Sequence, residues 1–181
     1  MNWYVREEES GYFKREWLKE PLRTAPKNTT NKVRAWDLAG SVPSETNSNP
    51  DWTVGVLMSK DSNGKYCIEH VERFRARHGE VLDRIVEVAK RDGDDVTIVI
   101  PRDAGQAGAT AAAYHVGVLA DQGFRCKVQG TSKSKLKRFE PVSASMEVGN
   151  FTIIQGDWNE TYFDEMEAFD GLASSRTKKD D

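Results

Sequence analysis

The chain has 181 residues, of which 38% are hydrophobic and 30% charged, and this length is enough for one domain with a real hydrophobic core. The formal net charge of -3 argues against a general binder of polyanions, and no apolar run approaches the roughly 20 residues of a membrane span. The first residues lack the basic head and apolar stretch of a secretory signal. The composition predicts a globular domain that needs no membrane, with Cys67 and Cys126 as free thiols.

Residues 1–30 differ from the rest of the chain and predict an N-terminal arm or linker. Aromatic side chains are scattered among charges there, and Pro21, Pro26 and the polar run 27–31 end any helix. An arm with so many aromatic residues is expected to dock on the domain that follows, which is predicted to span residues 31–181.

Three strands are predicted at the start of this domain. The apolar patterns at 33–38, 52–58 and 66–74 favour strands, and Asn63-Gly64 between the last two is a strong hairpin signal. The connection at 39–51 is longer and rich in Ser, Pro and Asn. Long polar loops beside an isolated acid often carry function.

Helices and strands alternate in the second half of the chain. Apolar residues at helical spacing around 81–89 predict a helix, and the continuous apolar run 96–100 predicts a strand buried on both faces. Further elements are predicted as helices at 109–122, 135–148 and 158–169, and as strands at 124–128 and 151–154. Three antiparallel strands followed by this alternation is the order of an α/β, ribonuclease H-like mixed sheet flanked by helices.

Two acids are predicted to meet at one edge of such a sheet. Asp37 lies near the C-terminal end of the first strand, and an ionised carboxylate among apolar neighbours needs a cation, a hydrogen-bond network or a metal. The strand 96–100 would lie parallel to the first strand, about 4.8 Å away, and Asp103 follows it. Two carboxylates in one cleft repel unless a cation lies between them, and Mg²⁺ and Mn²⁺ prefer oxygen ligands. Asp37 alone fits a structural role as well as a functional one.

A basic segment without acids runs from residue 125 to residue 138. Its later cations are Lys133, Lys135, Lys137 and Arg138. They fit either a solvated loop or a grip on the phosphates of DNA.

Other residues have structural interpretations. Gly105 and Gly108 precede an alanine-rich helix, where their amides suit a phosphate, but close packing of helix against strand is the favoured interpretation. His70, His78 and His115 have no carboxylate or cysteine at ligand spacing and are interpreted as structural.

Four motifs occur along the chain in the order of one known family. They are Arg34-Ala35-Trp36-Asp37-Leu38-Ala39, Asn49-Pro50-Asp51-Trp52-Thr53-Val54-Gly55, Pro101-Arg102-Asp103-Ala104-Gly105-Gln106-Ala107-Gly108 and Lys179-Asp180-Asp181. With the aromatic arm, they make nearly the whole chain resemble the C-terminal nuclease domain of phage terminase large subunits.

This resemblance implies a metal-dependent endonuclease that cuts concatemeric viral double-stranded DNA during genome packaging. Asp37 and Asp103 would be the first two catalytic, metal-binding acids, and the third would be Asp181 or Asp180, of which Asp181 better matches the motif. Two ions of Mg²⁺ or Mn²⁺ would support phosphodiester hydrolysis, with Asp37 as their bridging ligand. Asp51 is a candidate for a further ligand or an outer hydrogen bond, with strand capping as the alternative.

The resemblance also implies partners and a location. A packaging ATPase, the small terminase subunit and the portal are the expected protein partners, in the cytoplasm of the host cell, and the isolated domain is expected to be monomeric. The phosphate-binding motif G-x-x-x-x-G-K-[ST] does not occur, so no ATP hydrolysis is expected of this chain. The family continues past its Asp-Asp pair into a helix, so the chain is expected to be an excised domain or a split product.

Two alternatives stay open on the sequence. A junction resolvase or a ribonuclease H shares the fold, but requires a four-way junction or an RNA strand instead of duplex DNA. A noncatalytic packaging module of the same fold would dock on the motor or portal and would bind no divalent ion at Asp37.

Overall fold

The structure is a computed structural model and describes residues 11–18, 20–130 and 133–169. The strands are β1 (Thr29–Asp37), β2 (Thr53–Asp61), β3 (Tyr66–Phe74), β4 (Val96–Arg102), β5 (Arg125–Gly130) and β6 (Phe151–Ile153). The helices are a 3₁₀ helix (Arg15–Leu18), α1 (His78–Asp92), α2 (Gln106–Asp121), α3 (Lys135–Glu147) and α4 (Asn159–Glu167). The six strands form one sheet in the order β5-β4-β1-β2-β3-β6.

The first three strands form the predicted antiparallel meander. The hairpin between β2 and β3 is closed by Asp61, whose Oδ1 accepts hydrogen bonds from the amides of Asn63 (2.9 Å) and Lys65 (2.8 Å). Gly64 has φ +84°, a conformation that glycine adopts without steric cost. The Asn-Gly prediction of a tight turn is therefore confirmed.

The remaining strands pair in parallel. β4 lies beside β1, β5 lies beside β4, and β6 pairs with β3 at the other edge. This combination confirms the predicted ribonuclease H-like mixed sheet, with β1 among its central strands. The prediction that β4 is buried on both faces is wrong, because Val96, Ile98 and Ile100 are buried while Thr97 and Val99 on the other face are half-buried. Helices cover only the face of β4 that carries Val96, Ile98 and Ile100, so buried and half-buried side chains alternate along the strand.

Each face of the sheet has its own hydrophobic core. On one face, α1 and α2 pack on the central strands, with Trp36, Ile85, Ile98, Ile100 and Leu119 among the buried residues. On the other face, α3, α4 and the 3₁₀ helix pack on β3 and β6, with Phe13, Leu18, Ile68, Phe151 and Phe163 among the buried residues. The second core covers only part of its face, which leaves room for a groove beside β1.

The described part of the N-terminal segment contributes to the second core. Phe13 and Leu18 are each 3% exposed, so they are core residues although they lie in the predicted arm. Arg15 lies beside three carboxylates of α4 and donates to Glu160 (2.8 Å) and Asp164 (2.8 Å). The aromatic and apolar residues of this segment therefore dock as expected, against α4 and β6.

A buried ion pair ties β1 to the end of α1. Arg34 is 1% exposed, and its Nε and Nη2 donate to the two carboxylate oxygens of Asp92 at 2.7 and 2.6 Å. Its Nη1 also donates to the carbonyl oxygen of Gly55 on β2 (2.9 Å). A paired, planar guanidinium is the form in which a cation is tolerated inside a protein.

Most predicted boundaries agree with the observed elements to within a few residues. The main exception is β1, which begins at Thr29 instead of residue 33 because its polar first half pairs with the end of β2. No helix in the described ranges has the length and apolar character needed to cross a membrane.

We expect Asp92→Ala to lower the free energy of unfolding by about 3–5 kcal/mol, because it leaves the buried charge of Arg34 without its partner. Glu87→Ala removes the carboxylate of an exposed ion pair with Arg84 and should cost less than about 1 kcal/mol. Urea denaturation of both variants measures the difference. Equal losses would show that the Arg34 pair stabilises no more than a surface pair.

We also expect acid sensitivity from His115. Burial, with a smaller contribution from nearby His78, lowers the pKa of the His115 imidazole, and its Nδ1 is buried without a hydrogen-bond partner. The imidazole therefore binds a proton more readily in the unfolded chain than in the folded one. The contribution of His115 to the free energy of unfolding is fully present above about pH 6.5 and decreases as the pH falls below that value. His115→Leu should reduce this decrease in thermal melts from pH 7 to pH 5, whereas His78→Gln at an exposed site should reduce it only slightly, because His78 contributes the smaller part of the pKa shift. An unchanged pH dependence in His115→Leu would contradict the assignment.

Candidate metal centre and nucleic-acid groove

Two predicted acids lie at one edge of the sheet, where β1 and β4 end side by side. Asp37 is the last residue of β1, and Asp103 follows the last residue of β4. The parallel register aligns Ala35 with Val99, so both strands end within a few residues of this aligned pair. Backbone pairing thus brings together two carboxylates that are distant in the sequence.

The environment of Asp37 differs from the expected one. The sequence pattern predicts a desolvated carboxylate, but the Asp37 side chain is exposed, so this prediction is wrong. Side chains alternate along a strand, and Trp36 takes the buried position beneath the helices while Asp37 faces the opposite side. Within the described residues, the side-chain carboxylates of Asp37 and Asp103 make no hydrogen bond and no ion pair. Both carboxylates are therefore available to a ligand.

Thr53 holds the chain directly after Asp37. Its Oγ1 donates to the carbonyl oxygen of Ala39 at 2.6 Å and accepts from the Ala39 amide at 3.0 Å, and the residue is fully buried. The backbone that leaves β1 is thus tied to the first residue of β2. Sequence reasoning missed this role, although Thr53 lies in one of the quoted motifs.

Gly108 packs against the backbone of Asp103. A Cβ atom at Gly108 would lie 2.5 Å from the Asp103 carbonyl oxygen and 2.9 Å from its Cβ. No side chain fits there, so α2 lies closer to the end of β4 than any other residue would permit. The structure therefore agrees with the interpretation that Gly108 allows close packing of helix against strand. The signal in the sequence was a glycine at the start of the alanine-rich helix.

Asp51 lies close to the same edge. It is exposed and stands two residues before the start of β2, which runs antiparallel to β1 and pairs Val54 with Asp37. Like the other two acids, it has no hydrogen bond or ion pair within the described part of the chain. Both interpretations of Asp51, a further ligand and a strand cap, stay predictions.

A groove of about 860 Å³ lies on the sheet face that carries Asp37. Its floor consists of the sheet residues Ala35, Val54, Val56 and Val71, and its walls come mainly from α3 and α4. We refer to it as the Asp37 groove. It has an apolar floor and a carboxylate at the sheet edge.

The walls of the Asp37 groove carry cationic and aromatic side chains. Lys135 and Arg138 line it from the first turns of α3, and Tyr162 lines it from α4. Burial raises the pKa of the Tyr162 phenol, which therefore stays protonated around neutral pH. The groove thus combines hydrogen-bond donors and positive charges opposite an acidic edge.

The predicted basic residues divide into two groups. Lys135 and Arg138 line the Asp37 groove, whereas Lys133 and Lys137 are exposed outside its lining. The segment follows β5, whose last residue pairs with the end of β4, so it begins at the edge where Asp103 lies. Ser134 caps α3 by accepting from the Lys137 amide, which sets the direction of this helix.

The described residues do not form a complete metal site on their own. No group of three His, Cys, Asp or Glu residues within the described ranges could hold an ion. The predicted third acids, Asp180 and Asp181, lie outside the described residues. His70 and His115 both have a lowered pKa, caused mainly by burial, as is usual for structural histidines.

We expect Gly108→Ala to weaken Mn²⁺ binding by about 10- to 100-fold, because the added methyl group displaces Asp103. Gly117→Ala in the same helix is the matched control, since a Cβ there meets nothing within 4 Å. Titration calorimetry with Mn²⁺ measures the affinity, and a thermal melt checks that both variants fold. Wild-type affinity in folded Gly108→Ala would rule out this role of the close contact.

Comparisons with solved structures show the same fold. The large terminase nuclease of thermophilic phage G20c, solved with bound zinc, superposes with a TM-score of 0.56 at 17% identity, covering 89% of this chain and 86% of that one. The human cytomegalovirus terminase nuclease domain, soaked with manganese, has a TM-score of 0.57 at 14% identity, with 82% of each chain covered. At these identities the likeness is one of fold.

A longer relative has the same fold in one part. The large terminase of another thermophilic bacteriophage matches with a TM-score of 0.53 at 13% identity, over 88% of this chain and 37% of that one. This chain therefore spans little more than a third of that protein. No curated protein matches it in sequence.

The family is established by the sequence itself. Residues 34–181 match the family described as Terminase RNaseH-like domain, and this range contains all four motifs and the acids at the sheet edge. The predicted resemblance is confirmed. The chain belongs to the family of terminase RNaseH-like domains.

Proposed function

We propose that the chain is a divalent-metal-dependent endonuclease that cuts concatemeric double-stranded viral DNA during genome packaging. The observation that carries the proposal is the pair of unpartnered carboxylates, Asp37 and Asp103, at the ends of adjacent parallel strands in a terminase RNaseH-like domain. The cations of the Asp37 groove, opposite these acids, support a polyanionic substrate.

The donor set fits a hard divalent cation. Exposed carboxylates without hydrogen bonds offer the oxygen ligands that Mg²⁺ and Mn²⁺ prefer, and Mg²⁺ in such enzymes is often held by one or two carboxylates together with phosphate oxygens and water. Asp37 and Asp103 would hold the metal, with Asp51 nearby as a further ligand or an outer hydrogen-bond partner. Asp181 or Asp180 would complete the set. Nuclease relatives solved with zinc or soaked with manganese support the same class of ion.

The ions supply Lewis-acid activation of water and stabilisation of the leaving oxygen when they are bound. The chain's own contribution is placement: β1 and β4 fix the two carboxylates at one edge, and Gly108 and Thr53 hold the backbone beside them. Asp37 lies on the strand between β4 and β2 and would be the central metal-holding carboxylate. Its loss should be the most damaging.

The basic segment would bind the DNA backbone. Lys135 and Arg138 would contact the DNA strand within the Asp37 groove, and Lys133 and Lys137 would contact phosphates outside it. Such phosphate contacts do not depend on the base sequence. With a net charge of -3, the isolated chain should bind DNA weakly. A packaging ATPase, the small terminase subunit and the portal, in the host cell, would deliver the DNA to the site.

The proposal predicts nicking and linearisation of supercoiled plasmid in the presence of Mn²⁺ or Mg²⁺, and complete loss of both on addition of EDTA. Asp37→Asn and Asp103→Asn should lower the rate by more than the roughly 100-fold typical of losing a supporting residue. Asp83→Asn removes an exposed carboxylate of α1 and should retain the wild-type rate. Gel electrophoresis of time courses measures all four proteins.

The same assay discriminates the alternatives. Cleavage of a four-way junction or an RNA–DNA hybrid in preference to duplex DNA would favour a resolvase or a ribonuclease H. A folded wild-type protein that cleaves no substrate and binds no Mn²⁺ would instead be a noncatalytic packaging module.

A further inference from the structure

A cluster of one aromatic and two cationic side chains lies two strands away from Asp37. The guanidinium carbons of Arg73 and Arg75 lie 4.1 and 3.9 Å from the centroid of the Trp52 ring. These are short cation–π contacts, which hold both guanidinium groups in defined positions. We refer to Trp52, Arg73 and Arg75 as the Trp52 cluster.

The Trp52 cluster faces the same side of the sheet as the candidate metal centre. Asp37 pairs with Val54 of β2, and Val54 pairs with Arg73 of β3, so these three residues form one row across the sheet. Directly paired residues present their side chains on the same face, and Asp37, Trp52 and Arg73 all line the Asp37 groove. The cluster and the acid therefore belong to one surface.

The charges of the Trp52 cluster are poorly neutralised within the described part of the chain. Arg73 has one carboxylate near it, that of exposed Glu165 at 3.8 Å, which is too long for a hydrogen bond. Arg75 donates to the neutral side chain of Asn49, and its Nε is buried without any hydrogen-bond partner. Arg75 therefore carries a charge with no acidic partner in the described part of the chain.

Three arginines elsewhere in the fold have close acidic partners. Arg34 has a bidentate partner in Asp92, and Arg84 and Arg91 both contact Glu72 on the opposite face of the sheet. The Trp52 cluster differs from these three in having no carboxylate within hydrogen-bond distance in the described part of the chain. Two immobilised, under-neutralised guanidinium groups form a site for phosphate, which they bind in a planar, bidentate manner.

The spacing suits neighbouring phosphates of one DNA strand. Strands in a sheet are about 4.8 Å apart, so the backbone of Arg73 lies about 10 Å from that of Asp37. The rise per nucleotide is about 3.4 Å along the axis of duplex DNA, and the winding of the strand makes the direct distance between its phosphates longer, so about 10 Å spans fewer than about three nucleotides. A strand with its reacting phosphate at Asp37 would reach Arg73 and Arg75 one or two nucleotides away.

We propose that Arg73 and Arg75, held in place by Trp52, bind the phosphates of the cleaved DNA strand one or two nucleotides from the reacting phosphate. The inference rests on the proposed function and adds a second contact to it, on β3 and the residue that follows it instead of on α3. The DNA strand would then contact Arg73 and Arg75 from the sheet as well as Lys135 and Arg138 from α3. Arg73 and Arg75 are thus positioning residues.

The test is DNA binding without cleavage. Proteins carrying Asp37→Asn are titrated in EDTA onto a fluorescent duplex, and the affinity is measured by anisotropy over a range of salt concentrations. The double variant Arg73→Gln/Arg75→Gln should bind more weakly, with the slope of log affinity against log salt reduced by about 0.9 for each lost phosphate contact, or about 1.8 in total. Arg73→Gln alone, at an exposed position, should lose about half of this amount, and it is informative even if the double variant fails to fold.

Arg84→Gln/Arg91→Gln is the matched control, since it removes the same net charge from the opposite face of the sheet. Its salt slope should equal that of the parent. A wild-type slope in both Trp52-cluster variants, an equal loss in the control, or no duplex binding even at low salt would overturn the proposal. Failure of plasmid cleavage with normal duplex binding would count against the proposed nuclease and not against this contact.

Discussion

The buried ion pair between Arg34 and Asp92 fixes the end of α1 against β1, the strand that carries Asp37. Asp92 is the last residue of α1, four residues before β4, and Arg34 lies in β1 opposite Ile98. Because each charge would be costly to bury alone, the pair favours one position of the end of α1 on β1, and this limits where β4 can begin. A register shift by one residue would turn the side chains of β4 to the wrong faces. It would also move Asp103 relative to Asp37.

The two faces of the sheet have different tasks. One face is closed by α1 and α2 and supplies rigidity, including the contact of Gly108 with Asp103. The other is only partly covered by α3 and α4, which leaves the Asp37 groove open. The acids at the edge have no protein partners of their own in the described residues, so their positions are set by backbone pairing and close packing. Such a scaffold can hold like charges together until a ligand neutralises them.

Local signals in the sequence predicted much of the fold. Asn63-Gly64 indicated a tight hairpin because its turn requires a positive φ, and the apolar run at the start of β4 indicated a strand because it is short and rich in β-branched residues. One local argument failed, because alternation along β1 assigns burial to Trp36 and leaves Asp37 exposed. Phe13 and Leu18 dock as expected, but the surface of α4 and β6 that receives them is not visible in the sequence pattern.

The sequence by itself determined the family and the order of strands and helices, and it predicted Asp37 and Asp103 as site residues, because periodicity, turn residues and short motifs are properties of neighbouring positions. Only the tertiary structure decided which distant residues meet. The row from Asp37 through Val54 to Arg73 depends on strand register, and the contact of Trp52 with two arginines depends on that register as well. Pairing across a sheet joins residues that are far apart in the chain, and no local pattern encodes which pair will lie opposite.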